Sequence, residues 1–275
     1  MPRSPLAVPA ALASLALAGA ALLGGCASGD PDTTVLGDLL QDLAPPTPGQ
    51  AARDAFNVYD PDRRRQSVAL LAASPFGGEP PYLRTYRLLI DDPDATVRGA
   101  AVKALGAHGE VADADLIIPR LRDDSPFVRW EAAKALQRIH NPAAAQPLMD
   151  LLRTDADADA RMAAADALGQ YAQPAVFDTL VGALTDRNYG VVSAAVNALR
   201  TLTGHPGDAD PATWITWSRD RRADLFAGQT AYAYQAYQKP PGLIRKVMPF
   251  TNDEQPAPRL SPVGLETRSD DATSG

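Results

Sequence analysis

Residues that carry chemistry are scarce in this chain of 275. There is one cysteine, Cys26, so no disulfide can close within the chain and no cysteine-rich metal site can form. There are three histidines, His108, His140 and His205, well separated from one another. A metal site needs three or four converging ligands, and this set falls short of that. Positive charge is in deficit: 26 Lys and Arg stand against 33 Asp and Glu, a net charge of −7. Setting aside residues 1–25, whose only charge is Arg3, brings it to −8. A binder of nucleic-acid backbones carries a basic stripe, so nucleic acid is not an expected partner. No G-x-S-x-G, P-loop or Rossmann glycine pattern is present either. No catalytic residue, metal or cofactor is therefore expected, and the chain is not read as an enzyme.

What is there looks ordinary in bulk, with 21% charged and 45% hydrophobic residues. The length admits one or two domains. Twenty-five prolines cluster in an N-terminal linker, in regularly spaced turns and in the C-terminal tail. Residues 2–25 hold a single charge and then an apolar, small-residue run that ends Leu23-Gly24-Gly25-Cys26. A short charged start, an apolar stretch and small residues before a cut site make a secretory signal peptide. The run is also about long enough to span a bilayer, so an uncleaved anchor helix is the alternative.

From Asp91 to Thr203 the chain says nearly the same thing four times: DDPDATVRGAAVKALG, DDSPFVRWEAAKALQ, TDADADARMAAADALG and TDRNYGVVSAAVNALR. Leu105, Leu136, Leu168 and Leu199 hold one position in the copies, 31, 32 and 31 residues apart. That period, apolar at helical spacing, signals a solenoid. Each copy divides into two helices around a polar turn. In one, Leu116, Ile117 and Leu121 mark a first helix over 113–122, and Asp124-Ser125-Pro126 stops the chain and starts the next. A second helix over 127–139 then sets Val128, Ala132, Ala135, Leu136 and Ile139 on one face. A degenerate copy lies upstream, where Asp60-Pro61-Asp62 precedes Asp92-Pro93-Asp94 by 32 residues and the Arg position falls on Gln66. Terminal repeats are atypical because one face meets solvent. Downstream, residues 205–226 carry Trp214 and Trp217 on a final helix that covers the end of the stack.

The motifs Asp92 with Val97-Arg98, Asp123 with Val128-Arg129 and Asp155 with Ala160-Arg161 resemble HEAT repeats of the short bacterial, phycobilisome-lyase-like type. The fourth copy keeps Asp186 but has Val191-Val192 in place of the Arg. The resemblance implies an all-α, right-handed α-solenoid of about five helix pairs with a C-terminal capping helix. It also implies that Asp92, Arg98, Asp123, Arg129, Asp155, Arg161 and Asp186 form a structural ladder between repeats. The segment before Cys26 is similar to a bacterial lipobox, which implies a lipid-bearing, palmitate-carrying N-terminus at Cys26. The expected division is a signal peptide over 1–25, a lipidated tether over 26–54, the solenoid over 55–226 and a mostly disordered tail over 227–275. Deoxyhypusine hydroxylases, a related group of iron enzymes, rest on repeated His-Glu pairs, and no His here is followed by Glu.

In such arrays the second helices line the concave side, leaving three columns for a partner. They are Gly99, Trp130, Met162 and Ser193; then Lys103, Lys134, Asp166 and Asn197; then Ala107, Arg138, Gln170 and Thr201. Trp130 either packs across a repeat boundary or faces a ligand. With Lys103, Lys134 and Arg138 it forms the expected contact patch. Residues 229–250 carry Tyr232, Tyr234, Tyr237 and three cations, and read as an extended strap, as disorder or as a membrane-surface segment. The expected function is a membrane-tethered scaffold, exported and anchored to a bacterial membrane, that binds a protein or peptide of the cell envelope. The alternatives are a lyase-like or metal-dependent enzyme using the groove as a pocket, and a structural spacer.

Overall fold

The computed structural model describes residues 47–235 and 258–265; the signal-like segment and Cys26 lie outside the described residues. Five helix pairs follow one another. The first is α1 (Pro48–Asp54) with α2 (Pro61–Ala73), and the second α3 (Pro80–Leu89) with α4 (Ala95–His108). In the third, α5 (Ala114–Ile117) sits between two 3-10 turns, Val111–Asp113 and Ile118–Arg122, and pairs with α6 (Pro126–Arg138). The fourth is α7 (Ala145–Thr154) with α8 (Ala158–Leu168), and the fifth α9 (Pro174–Ala183) with α10 (Tyr189–Thr203). The cap, α11 (Pro211–Ser218), closes the array. The third pair lacks a regular first helix over 113–122. Pro119 has no N–H to donate there, and the chain tightens into a 3-10 turn around it.

The starts of these helices are written locally. Asp60, Asp94, Asp157, Asn188 and Asp210 each accept a backbone N–H of the first turn, and proline opens α1, α2, α3, α6, α9 and α11. Thr47 and Gln50 close a reciprocal capping box at α1. Helix therefore begins at Pro48, and Ala51 and Ala55 are buried. Residues 48–54, expected to belong to a flexible tether, are instead helical and pack on α2 as the first helix of the first pair.

Leu71, Leu105, Leu136, Leu168 and Leu199 occupy one position in the five second helices and are all buried. Each contributes roughly 2 kcal/mol by leaving water. Small residues set the spacing between them: a Cβ on Gly106 would come within 2.7 Å of Ala135 Cβ and 2.8 Å of its Cα. The second helices pack on one another more extensively than the first helices do, which makes theirs the more tightly packed side of the array.

The turns are joined by a ladder. Arg98 donates from Nε and Nη2 to both carboxylate oxygens of Asp123, Arg129 does so to Asp155, and Arg161 to Asp186, at 2.6–2.9 Å. The third nitrogen of each Arg reaches back to carbonyls of its own turn, such as Asp92 and Pro93 for Arg98. Each carboxylate also accepts the backbone N–H two residues on. Planar, bidentate pairing of this kind fixes orientation as well as distance.

The first copy joins the same ladder through Arg64, which grips Asp92 at 2.8 Å with both partners nearly buried. This corrects the assignment of that position to Gln66. Asp60 and Asp94 are the equivalent N-caps, 34 residues apart, so the repeated letters D-P-D lie two residues out of structural register. In the correct register Val58 takes the place of the ladder Asp in the first copy, and Val192 the place of the Arg in the last. Four rungs join five pairs, and the ladder is open at both ends.

At the C-terminal end Trp214 is fully buried and donates its indole N–H to the Asp208 carbonyl at 2.7 Å. Trp217 stacks on His205 with ring centroids 4.7 Å apart and also meets Phe177 of α9. The tail then returns across the array. Tyr234–Gln235 (β1) pairs antiparallel with Arg259–Leu260 (β2), and Val263 forms a bridge with Ile139. Where it is described, the tail is docked rather than disordered.

Candidate functional site

The inner face is built from α4, α6 and α8, held in register by the ladder. Phe127, near the start of α6, lays its ring over Gly99 of α4, where a Cβ would collide with it. Trp130 follows one turn later, half-buried, with its ring 6.2 Å from Phe127 and against the core. One turn further, Lys134 sets its Nζ 4.5 Å from the indole centroid, a cation–π contact. The first expected column is thus largely covered: Gly99 is buried beneath Phe127, and Trp130 serves packing across the α4–α6 boundary as well as the surface.

The other three members of the expected patch meet around Glu131. That carboxylate is buried in α6 and has Lys103, Lys134 and Arg138 as its electrostatic neighbours. Burial pushes its ionisation up, and the three cations oppose the shift. Burial pushes the Lys134 ammonium down, with Glu131 and Asp166 acting against it. Asp166 of α8, facing Lys134, is pushed up to about 6 by burial. Glu131 was not singled out from the sequence. A signal was available, since three of the other four copies carry alanine at its position, Ala100, Ala163 and Ala194, and the terminal first copy carries Gln66.

The tail reaches the same face. Tyr232 is buried, donates its phenol O–H to the Asp166 carbonyl at 2.8 Å, and lies against Gly169, whose missing Cβ makes the room. The Arg138 guanidinium lies 5.8 Å from the Tyr234 ring centroid. Its Nε is buried and has no hydrogen-bond partner among the described residues. The Thr230 N–H donates to the Thr201 carbonyl at 2.9 Å. Beyond α6 the backbone turns extended at Ile139, and Val263 both donates to the Arg138 carbonyl and accepts from the His140 N–H.

The histidines serve junctions. His108 donates from Nε2 to the Ala72 carbonyl at 2.7 Å, tying the end of α4 to that of α2. His140 Nδ1 bonds Gln170 Oε1 at 2.9 Å and its ring stacks on Tyr171. Gln170 in turn donates to the Leu136 carbonyl. Among the described residues no three His, Cys, Asp or Glu side chains gather as they would around a metal ion. No described helix is long and apolar enough to cross a membrane. An open groove of about 640 Å³ lies on the first-helix side between α7 and α9, bordered by Arg153, Asp178 and Thr179, away from this cluster.

A family profile described as HEAT repeats matches residues 84–169 and 149–223. The chain belongs to the HEAT-repeat family. The chain is 30% identical over 150 residues to the uncharacterized phycocyanin operon protein Z of Pseudanabaena tenuis (strain PCC 7409), covering 52% of this chain and 73% of that protein. Among solved structures it is similar to YibA of Escherichia coli, at 21% identity and a TM-score of 0.49 over 70% of this chain and 72% of the other. It is also similar to a designed armadillo repeat protein in complex with the peptide (KR)4, at 20% identity and a TM-score of 0.43, over 56% of this chain and 81% of that one. A HEAT array is a scaffold suited to binding protein, and the cluster around Glu131 is where this one concentrates charge on its inner face.

Proposed function

We propose that the chain is a lipid-tethered HEAT scaffold that binds a protein or peptide of the bacterial cell envelope along its inner face. The observation that carries the reading is the cluster of Lys103, Lys134 and Arg138 around the buried Glu131, with Trp130 beside it and an Arg138 Nε that is buried and without a hydrogen-bond partner among the described residues. Buried aromatic and Arg anchors dominate binding energy when a partner covers them. A carboxylate set among three cations gives such a surface polarity and register. The lipobox-like Leu23-Gly24-Gly25-Cys26 supports export and anchoring, because acyl chains contribute about 0.8 kcal/mol per buried CH₂ and so replace a spanning helix.

Two measurements test the two halves. Cells fed labelled palmitate incorporate it into the chain, and Cys26→Ser abolishes both the label and membrane sedimentation; a labelled Cys26→Ser chain refutes the anchor. A photo-crosslinker placed at Asn197 on the inner face traps a defined envelope protein in intact cells. Trp130→Ala with Lys134→Glu removes that adduct, whereas Asp178→Arg on the first-helix side does not. Equal adducts in all three chains refute the inner-face site.

A further inference from the structure

The described part of the tail after the cap sits on the array as a peptide ligand sits on a receptor. Thr230, Tyr232 and Tyr234 are alternate residues of one extended run, and each meets a different repeat. Thr230 bonds the Thr201 carbonyl near the end of α10, Tyr232 bonds the Asp166 carbonyl near the end of α8, and Tyr234 lies by Arg138 at the end of α6. An extended chain advances about 6.7 Å per two residues, and packed helices stand about 8–10 Å apart. A strand laid across the helix ends therefore meets roughly one repeat for every second residue. The groups it uses are main-chain carbonyls of the last helical turns, where accepting capacity is left over; the Asp166 carbonyl takes the Tyr232 O–H beside the Gly169 N–H. Tyr232 is the anchor: its ring fills the space left by Gly169, where a Cβ would come within 3.0 Å of the ring.

We propose that the strip along the C-terminal ends of α6, α8 and α10 is the peptide-binding site of this array. Its ligand is an extended segment with tyrosine at alternating positions, and residues 230–235 occupy it as an internal ligand that a partner displaces. This deepens the scaffold reading and rests on it, since Arg138 belongs both to the strip and to the inner-face cluster. The chemistry fits an exchangeable occupant. On the array itself the run contributes one buried aromatic ring, the Tyr234–Arg138 contact and a few hydrogen bonds to main-chain carbonyls. The backbone of its last two residues pairs with β2, and the run holds no ladder residue and none of the repeat leucines.

The test uses the full chain and a fluorescein-labelled peptide of residues 228–238, with binding read by anisotropy. In the wild-type chain the tethered tail competes at high effective concentration and the peptide binds weakly. Tyr232→Ala empties the socket, and the wild-type peptide then binds at least tenfold more tightly. A peptide with Tyr232 replaced by Ala loses that gain, as does the chain carrying Gly169→Val together with Tyr232→Ala. Should Tyr232→Ala melt the array, Thr230→Pro takes its place, since it deletes the N–H and the hydroxyl that Thr230 donates to the Thr201 carbonyl and leaves the array's own side chains intact. Equal binding to wild type and variant overturns the proposal, and so does an array that unfolds whenever the tail is loosened, which makes the tail a fixed staple. Because the peptide is the chain's own, this outcome is read independently of whether an envelope partner is found.

Discussion

At the scale of single residues, two sets of carboxylates pull stability in opposite directions as pH changes. In the ladder, burial pushes Asp123 and Asp155 up, but the paired guanidinium outweighs it and holds both below the ordinary carboxylate range. For Asp186 the Arg161 hydrogen bond leads and the direction is the same. These groups stabilise the fold above the unfolded carboxylate value near 4 and lose that contribution as pH falls through and below it. Asp166 is the reverse case, raised by burial from 3.8 to about 6. Its protonated form suits the folded state, so its contribution is full below about 4 and is lost as pH rises through 6. The melting temperature is accordingly highest near pH 5 and falls on both sides. Asp166→Asn shrinks the fall between pH 5 and 7, the buried Glu131 supplying the remainder, adds about 2–3 kcal/mol at pH 7 and leaves the acid limb unchanged. Thermal melts of both chains from pH 3 to 8 check this, and an unaltered neutral limb refutes it.

At the scale of helices, packing distance decides what each position tolerates. Gly to Ala inside a helix gains about 1 kcal/mol by propensity. At Gly106 the new methyl group would meet the α6 backbone at Ala135, which cannot swing aside. Overpacking of that kind costs about 1–3 kcal/mol, so Gly106→Ala destabilises on balance, by roughly 1 kcal/mol in urea unfolding. Gly99 is the internal comparison, because the obstacle there is the movable, partly exposed ring of Phe127. Gly99→Ala is predicted to cost less than Gly106→Ala in the same assay.

The helices, their caps and the repeat leucines were legible in the sequence because each depends on neighbours within one or two turns. Arg64 was misassigned because identical letters filled different roles: the first Asp of Asp60-Pro61-Asp62 is a cap, whereas in Asp92-Pro93-Asp94 the last one is. The four residues of the expected contact patch could be placed on one face from helical spacing alone. Their gathering around Glu131 depends on how α4 and α6 pack, which the pattern of one helix does not carry. The tail was the least legible part. Tyr232 meets Gly169 across more than sixty residues, and no periodicity announces such a pairing.

At the scale of the molecule, stability is a sum of pairs and the interfaces between them. Position along the array then governs what the loss of one rung does. Arg129→Ala leaves Asp155 buried without its partner, which costs about 3 kcal/mol. The third and fourth pairs lie in the middle, so that loss lowers amide protection on both sides. Arg64→Ala exposes Asp92 to a similar cost, but its effect is confined to α1 and α2, which fray first. Hydrogen exchange separates the two patterns, and identical protection maps would contradict a nearest-neighbour array.

The open ends of the ladder carry a consequence for association. A repeat that offers a guanidinium forward and a carboxylate backward is complementary to any copy of itself, including one in another molecule. With Asp in the first pair and Arg in the last, the end of one chain would match the start of the next. A head-to-tail contact that does not close into a ring grows into a fibre. Val58 and Val192 occupy those two places, and the helix bearing Trp214 covers the far end. With valine at both places, neither end of the array carries the charged group that such a rung between two molecules would need.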